Sequence, residues 1–299
     1  METLKVNDNK FIHSYWTAPA LDRRWSVNGV IQTITNMWYF ATSVAYLKKL
    51  GQRIVLHTDT LGKTILDHIP YDEIKLTLDD IPEWMHTMVW ACGKMYAIEK
   101  EPLGSIHIDG DVFIKKPTAL NLVQNFIGDA MVQNLESKLY SAPAYTNAMG
   151  VLRHLPFPEG TSNRLNSAYN TGVLSFKNQE LKDKFLNTYF EMAEKVSKDP
   201  KCIESLNKDK YCAPDIILEQ QFIYELSKDK YKVRTLLHNG FEKQFPQEIG
   251  YQHVIGSKKY LQLHHCKRVL KELDEELYNA CLQKQLDIES GKIQLNNGN

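Results

Sequence analysis

Asp109-Gly110-Asp111 follows the apolar run Ser105-Ile106-His107-Ile108 and precedes Val112-Phe113-Ile114. Two carboxylates two residues apart, at the exit of an expected buried strand, make a compact hard-oxygen site. Such a site suits Mg²⁺ or Mn²⁺ and, through the metal, a diphosphate. Gly110 lets a ligand approach the backbone closely. Number alone says little, because a chain with 17 aspartates is expected to hold about one Asp-x-Asp by chance. The flanks carry the reading: apolar runs on both sides pin the turn where a strand ends, which is where open α/β sheets bind their ligands. A plain polar turn is the competing interpretation.

A second constellation, His253-Val254-Ile255-Gly256-Ser257-Lys258-Lys259, complements the first. A neutral imidazole can complete a metal site. The glycine permits close backbone approach, and Lys259 can neutralise a phosphate. Chance supplies about 0.06 such His-x-x-Gly-x-x-basic patterns in a chain of this composition. Other polar residues weigh less. Glu219 can act as a base, shape an acceptor site, or lie on a solvated helix face. His264 and His265 are adjacent on one helix and point in different directions, which favours a surface role. Trp84 and Trp90 can form a sugar platform, though such residues are more often partly buried core.

These residues need elements to position them. Lys10–Trp16 reads as a first strand, Asn28–Leu50 as a helix stopped by Gly51, and Arg53–Asp59 as a second strand. A helix over Lys63–His68 and a short strand at Glu73–Leu76 follow, giving a βαβαβ start and hence a mostly parallel sheet covered by helices. A helix over Glu83–Glu99 puts Met85, Met88, Val89, Cys92, Met95 and Tyr96 on one face and Lys94 off it. The proline-marked stretch Gly128–Ser167 reads as one or two strands and a long loop. Asn170–Phe176 is a strand, Leu181–Val196 and Asp215–Leu226 are helices, and Tyr231–Val233 is a strand. His253–Lys259 forms a turn, Tyr260–Leu286 a long last helix, and Leu295–Asn299 a frayed end.

Composition bounds the rest. The chain has 299 residues, 43% hydrophobic and 24% charged, ordinary values for a globular protein. Lys plus Arg balances Asp plus Glu at 36 each, so no bulk basic field points to nucleic acid. Met1–Asp8 has no secretory signal, and no apolar run is long enough for a membrane span. Cys92, Cys202, Cys212, Cys266 and Cys281 are odd in number and scattered, which reads as reduced thiols in a cytoplasmic protein.

Taken in order, the strand ending in Asp109-Gly110-Asp111, then Asn170-Thr171-Gly172-Val173, then His253-x-x-Gly256-x-x-Lys259 resemble nucleotide-sugar glycosyltransferases of the GT-A fold. The likeness is to the glycogenin and bacterial lipopolysaccharide galactosyltransferase type and to capsular-polysaccharide enzymes with a DXD motif. It spans roughly residues 10 to 260. The resemblance implies a single GT-A-like α/β domain over 1–299. Its nucleotide-binding half is 10–115, its acceptor and donor-sugar half 116–260, and its C-terminal helix 260–290. It further implies Mn²⁺ or Mg²⁺ on Asp109, Asp111 and His253, bridging the diphosphate of a donor, most often a UDP-sugar, with Gly110 in the same turn. Gly256 and Lys259 would contact that diphosphate. Lys94, with Lys100 behind it, would reach the donor from the helix before the motif. His13, Ser14, Tyr15, Thr58 and Asp59 would lie near the nucleoside. Asn170 and Gly172 would line the donor-sugar pocket. Glu219 and Gln220 stand where the family has an acidic-Gln-Asp motif, as Glu219-Gln220-Gln221, and Tyr260-Leu261 replaces the family's Pro-Trp.

The implied activity is sugar transfer, with retention, to a glycan, glycolipid or protein acceptor, with peripheral membrane contact open. Two other readings remain. Asp109-x-Asp111-Val112 also matches the nucleophile motif of haloacid-dehalogenase-type phosphatases, although their later Gly-Asp-x-x-x-Asp is missing. A non-catalytic carbohydrate-binding protein of the same fold is the other.

Overall fold

The computed structural model describes residues 10–22, 29–208, 213–237, 246–256 and 258–295. Met1–Asp8, Cys212 and Asn296–Asn299 lie outside the described residues. Nine strands are described: β1 (Phe11–Tyr15), β2 (Ile54–Thr58), β3 (Glu73–Lys75), β4 (Ile106–Ile108), β5 (Val112–Ile114), β6 (Ala130–Ser137), β7 (Ser167–Phe176), β8 (Val233–Thr235) and β9 (Tyr251–His253). Seven form one sheet in the order β3-β2-β1-β4-β7-β6-β8. Pairings are parallel except those of β7, which runs antiparallel to both β4 and β6. The chain leaves β1 toward β2 and β3 on one side and returns to β4 on the other. The gap between the carboxyl ends of β1 and β4 is therefore a topological switch point. β5 leaves the main sheet and pairs antiparallel with β9, Val112 opposite His253.

Side-chain alternation explains the layers. Met131 and Val173 join one core with Phe11, Tyr15, Ile54, Leu56, Ile106 and Ile108, under the helix Gly29–Lys49 and the C-terminal helices. Ala130, Val132, Leu174 and Phe176 join the other, under the helices Cys92–Glu99 and Gln179–Lys198. The helix Gly29–Lys49 buries Met37, Trp38 and Val44 completely, each worth about 1.5–3 kcal/mol of removed apolar surface. It stops at Gly51, whose φ of 71° is a left-handed turn.

Several elements differ from the sequence expectation. The helix placed at Glu83–Glu99 starts only at Cys92. Upstream, the His86 and Ala91 amides are claimed by the Ser197 hydroxyl (3.0 Å) and the Asp215 carboxylate (2.7 Å), so Met85, Met88 and Val89 reach the core from turns. Gly128–Ser167 contains a helix, Pro143–Leu152, besides β6. The segment expected as one α-helix over Asp215–Leu226 opens as a π-helix, Ile216–Gln221, and continues as α over Phe222–Ser227. The long last helix is two, Lys258–Leu273 and Glu275–Glu289. They are separated by Asp274, whose extended backbone (φ −157°) lets its carboxylate cap the second at the Leu277 amide. The strand expected at Tyr231–Val233 lies at Val233–Thr235.

Candidate metal centre at the carboxyl edge of the sheet

Asp109 leaves β4 with its amide bonded to the Gly172 carbonyl on β7 (3.0 Å). Asp111 is buried, and its carbonyl accepts the Val254 amide at 3.1 Å. The β5–β9 pairing thus carries His253 to the acid pair. His253 Nε2 lies 3.4 Å from Asp111 Oδ1, and one ligand atom each from Asp109, Asp111 and His253 fall within 4.8 Å of one another. Gly110 packs against the helix Gly29–Lys49. A Cβ there would sit 2.6 Å from the Phe40 ring, so the glycine is required by close packing on the helix Gly29–Lys49. Gly256 has φ 64°, and its carbonyl accepts the Lys259 amide, which turns the chain into the following helix.

Gln133 is the residue that sequence reasoning missed. Its Oε1 accepts from Tyr251 Oη and from His253 Nδ1, each at 2.6 Å. An amide oxygen only accepts, so Nδ1 must carry a proton, and the Nε2 lone pair is left for a cation once Nε2 is deprotonated. Metal-binding histidines are oriented in this way. The residues therefore fit a divalent cation in donor type, convergence and tautomer. Replacing Gln133 by Leu keeps the volume but removes the acceptor that orients His253 Nδ1. Mn²⁺ affinity should fall about 10–100-fold by calorimetric titration; unchanged affinity would remove His253 from the ligand set. Gly172 gives a steric counterpart. A Cβ there would lie 2.5 Å from Gln133 Oε1 and 2.6 Å from the His253 ring. Gly172→Ala should therefore displace the imidazole, weaken Mn²⁺ by a similar factor and cost about 1–3 kcal/mol in a denaturant titration. Wild-type metal affinity in that variant would contradict the arrangement.

Two lysines balance the acids. Lys94, buried on the helix Cys92–Glu99, bonds Asp109 Oδ1 (2.6 Å), Glu219 Oε1 (2.6 Å) and the Thr171 carbonyl (3.0 Å). Lys259 Nζ lies 2.7 Å from Asp111 Oδ2. Burial would raise the Asp111 pKa, but Lys259 and His253 hold the carboxyl well below the usual range. Burial would lower the His253 pKa, yet the Asp111 carboxylate outweighs it and raises it. Lys94 is likewise kept charged, the Asp109 and Glu219 carboxylates overcoming desolvation. Glu219 also accepts from Thr171 Oγ1 at 2.6 Å. The π-turn, which shifts helix register by about one residue, sets its direction. Asp215, one turn earlier, ties this segment to Ala91 and Tyr189, and burial pushes its carboxyl up to about 8.

Beside this centre lies a polar shelf. Asn170 Oδ1 accepts the Gly172 amide, and its Nδ2 donates to Glu136 Oε1 (3.1 Å). Tyr145 Oη lies 2.6 Å from Glu136 Oε2 and 2.7 Å from Gln220 Oε1. A phenol has one proton for these two partners, so with the phenol donating to Glu136 the second contact is met by the Gln220 amide turned to present its NH₂ group.

The residues expected near a nucleoside divide differently. His13 is fully buried, bonded to Tyr71 Oη and Ser43 Oγ, with its pKa lowered by burial to about 3. Ser14 Oγ bonds His107 Nε2 (2.9 Å), and Tyr15 packs against Phe40. Thr58 donates to the Tyr15 carbonyl, and Asp59 caps the helix Thr60–Leu66 while accepting from Thr17. These side chains hold the sheet edge together. Next to them a cavity of about 660 Å³ opens between Trp16, Thr17, Asp59, Thr60, Leu78 and Ile293. Lys100 pairs with Glu99. His264 and His265 are exposed, and His265 contacts Arg268. Trp84 is covered by the Lys198 ammonium, and Trp90 packs partly against the core.

Among the described residues, no helix is long and apolar enough to cross a membrane. No curated protein matches the chain. Residues 9–288 match the model of a family described as a family of unknown function, DUF6734. With that match covering most of its length, the chain belongs to the DUF6734 family.

Proposed function

We propose that this protein is a metal-dependent glycosyltransferase of GT-A-like fold that moves a sugar from a nucleoside-diphosphate sugar to a glycan, lipid-linked glycan or protein acceptor. The observation that carries the reading is the convergence of Asp109, Asp111 and a Gln133-oriented His253 at the switch point of the sheet. Two carboxylate oxygens and an imidazole form a donor set for Mn²⁺ or Mg²⁺. The 660 Å³ cavity at the ends of β1 and β2, lined in part by Trp16, has the size of a small-molecule site.

Held by Asp109, Asp111 and His253, a divalent ion supplies Lewis-acid neutralisation of a diphosphate leaving group. The chain's own groups do the rest. Lys259 brings positive charge to the same place and can exchange Asp111 for a phosphate oxygen, because its side chain is only partly buried. Lys94 holds Asp109 in position while tethered to Glu219 and Thr171. Glu219 is a double acceptor in this arrangement, so its role is to orient Lys94. Gln220, Asn170, Tyr145 and Glu136 present amide, phenol and carboxylate groups of the kind that recognise sugar hydroxyls.

The reading is tested by thermal shift of the intact protein with UDP or GDP and Mn²⁺. A rise in melting temperature that needs both components supports it, and no shift with any nucleoside diphosphate and divalent metal would sink it. Turnover of an aryl phosphate, lost in Asp109→Asn, would favour the phosphatase instead. Affinity should also depend on pH. Cation binding requires His253 without its Nε2 proton, and its pKa lies above the ordinary 6.5. Mn²⁺ affinity should therefore fall by about tenfold per pH unit below that raised pKa and level off above it, measured by Mn²⁺ titration across pH. A flat profile over pH 5–8 would argue against an imidazole ligand.

A further inference from the structure

We propose that His154, Asp199 and Cys202 form a second cation site, one that takes a borderline-soft transition metal such as Zn²⁺. The triad shares no residue with the Asp109 centre and does not depend on the glycosyltransferase reading. His154 follows the helix Pro143–Leu152, while Asp199 precedes and Cys202 lies within the helix Pro200–Lys208. His154 Nε2 is 2.9 Å from Asp199 Oδ1, which also accepts the Cys202 amide at 2.8 Å. One nitrogen, one oxygen and one sulfur donor lie within 4.8 Å of one another.

Their chemistry differs from that of the first centre. A thiolate adds little for Mg²⁺ or Mn²⁺, but it suits Zn²⁺ or Co²⁺, which take nitrogen, sulfur and carboxylate donors in tetrahedral sites. Access is asymmetric. The Cys202 side chain is closed off in the core, whereas those of His154 and Asp199 are 33% and 26% exposed. A metal would enter from solvent and keep water in the fourth position. Cys202 is the third residue of its helix, and its thiol donates to the Val151 carbonyl at 3.7 Å, a contact that metal binding would replace. Binding displaces the thiol proton to solvent, so metal uptake is accompanied by acidification. The bound ion would tie the end of the helix Pro143–Leu152 to the start of the helix Pro200–Lys208, in the same core layer as Tyr145.

Co²⁺ titration of the reduced full-length protein tests this. We expect one equivalent to produce a near-ultraviolet thiolate-to-cobalt absorption band, retained in Asp111→Asn and lost in Cys202→Ser. Because Cys202 is buried and its substitution also perturbs the core, His154→Gln and Asp199→Asn test the site from its exposed side. Asparagine caps a helix as well as aspartate does, so the latter removes a ligand while keeping the helix start. Each should weaken Zn²⁺, measured by competition with a chromophoric chelator, by more than about tenfold. Absence of the band in wild type, its persistence in Cys202→Ser, its loss in Asp111→Asn, or unchanged Zn²⁺ affinity in both surface variants would overturn the proposal.

Discussion

Asp111→Asn should abolish the stabilisation of the protein by Mn²⁺ with a nucleoside diphosphate. At a ligand concentration about 100 times Kd, the wild type gains about 2.7 kcal/mol, which at this chain length is a rise of about 5 °C in Tm. The substitution is close to isosteric. The Val254 amide still has the carbonyl of residue 111, and β5 still pairs with β9. What is lost is the negative charge that pairs directly with both His253 and Lys259. Without ligand the variant should be only modestly weaker, by about 1–2 kcal/mol, because Lys259 is partly exposed and can turn to water. Scanning fluorimetry with and without the ligand pair separates the two effects. A variant that keeps the wild-type shift would remove the acid pair from the binding site.

The part of this site that could be read from sequence was the part encoded locally. Ile106–Ile108 and Val112–Ile114 are apolar runs on either side of a polar turn, and the structure has strands there with Asp109 and Asp111 between them. His253 was reachable by asking which donor could complete two carboxylates, although its route to them, a strand pairing with β5, has no local mark. Gln133 had no motif to mark it. It sits in a strand between Val132 and Asn134, and its partners at the site, Tyr251 and His253, are 118 and 120 residues away. A buried glutamine in a strand is its only signal, and that becomes informative once the facing ring is known. The truncated helix before Lys94 fails for a related reason. Helical spacing over Glu83–Glu99 is real, but the competing acceptors, Ser197 and Asp215, come from distant segments. Asp274 is followed by an acidic first turn, Glu275-Glu276, as a helix start is, but the apolar periodicity across it reads as one helix over Tyr260–Leu286 and hid the break. Glycine was legible as a constraint but not as to its cause, since Gly110 makes room for Phe40 and Gly172 for His253.

Lys94→Met should cause a large loss of stability, about 3–5 kcal/mol, the range seen when one partner of a buried pair is removed. That corresponds to a fall of about 5–8 °C in Tm. Lys94 is 7% exposed, and its three donors meet Asp109, Glu219 and the Thr171 carbonyl. Methionine fills the stem but leaves two carboxylates facing each other with no cation between them. The cost should therefore depend on Glu219. In Lys94→Met with Glu219→Gln, one stranded charge is gone, and the double variant should be more stable than the sum of the single losses predicts, by about 1–2 kcal/mol. Denaturant titration of the four proteins measures this coupling. Additive losses would mean that the three-way contact is not maintained in solution. Turnover then distinguishes structure from chemistry. If the double variant recovers stability but sugar transfer stays at least about 100-fold down, Lys94 acts on the donor as well as on Asp109. If transfer recovers with stability, Lys94 is a strut, and the positive charge that meets the diphosphate must come from Lys259.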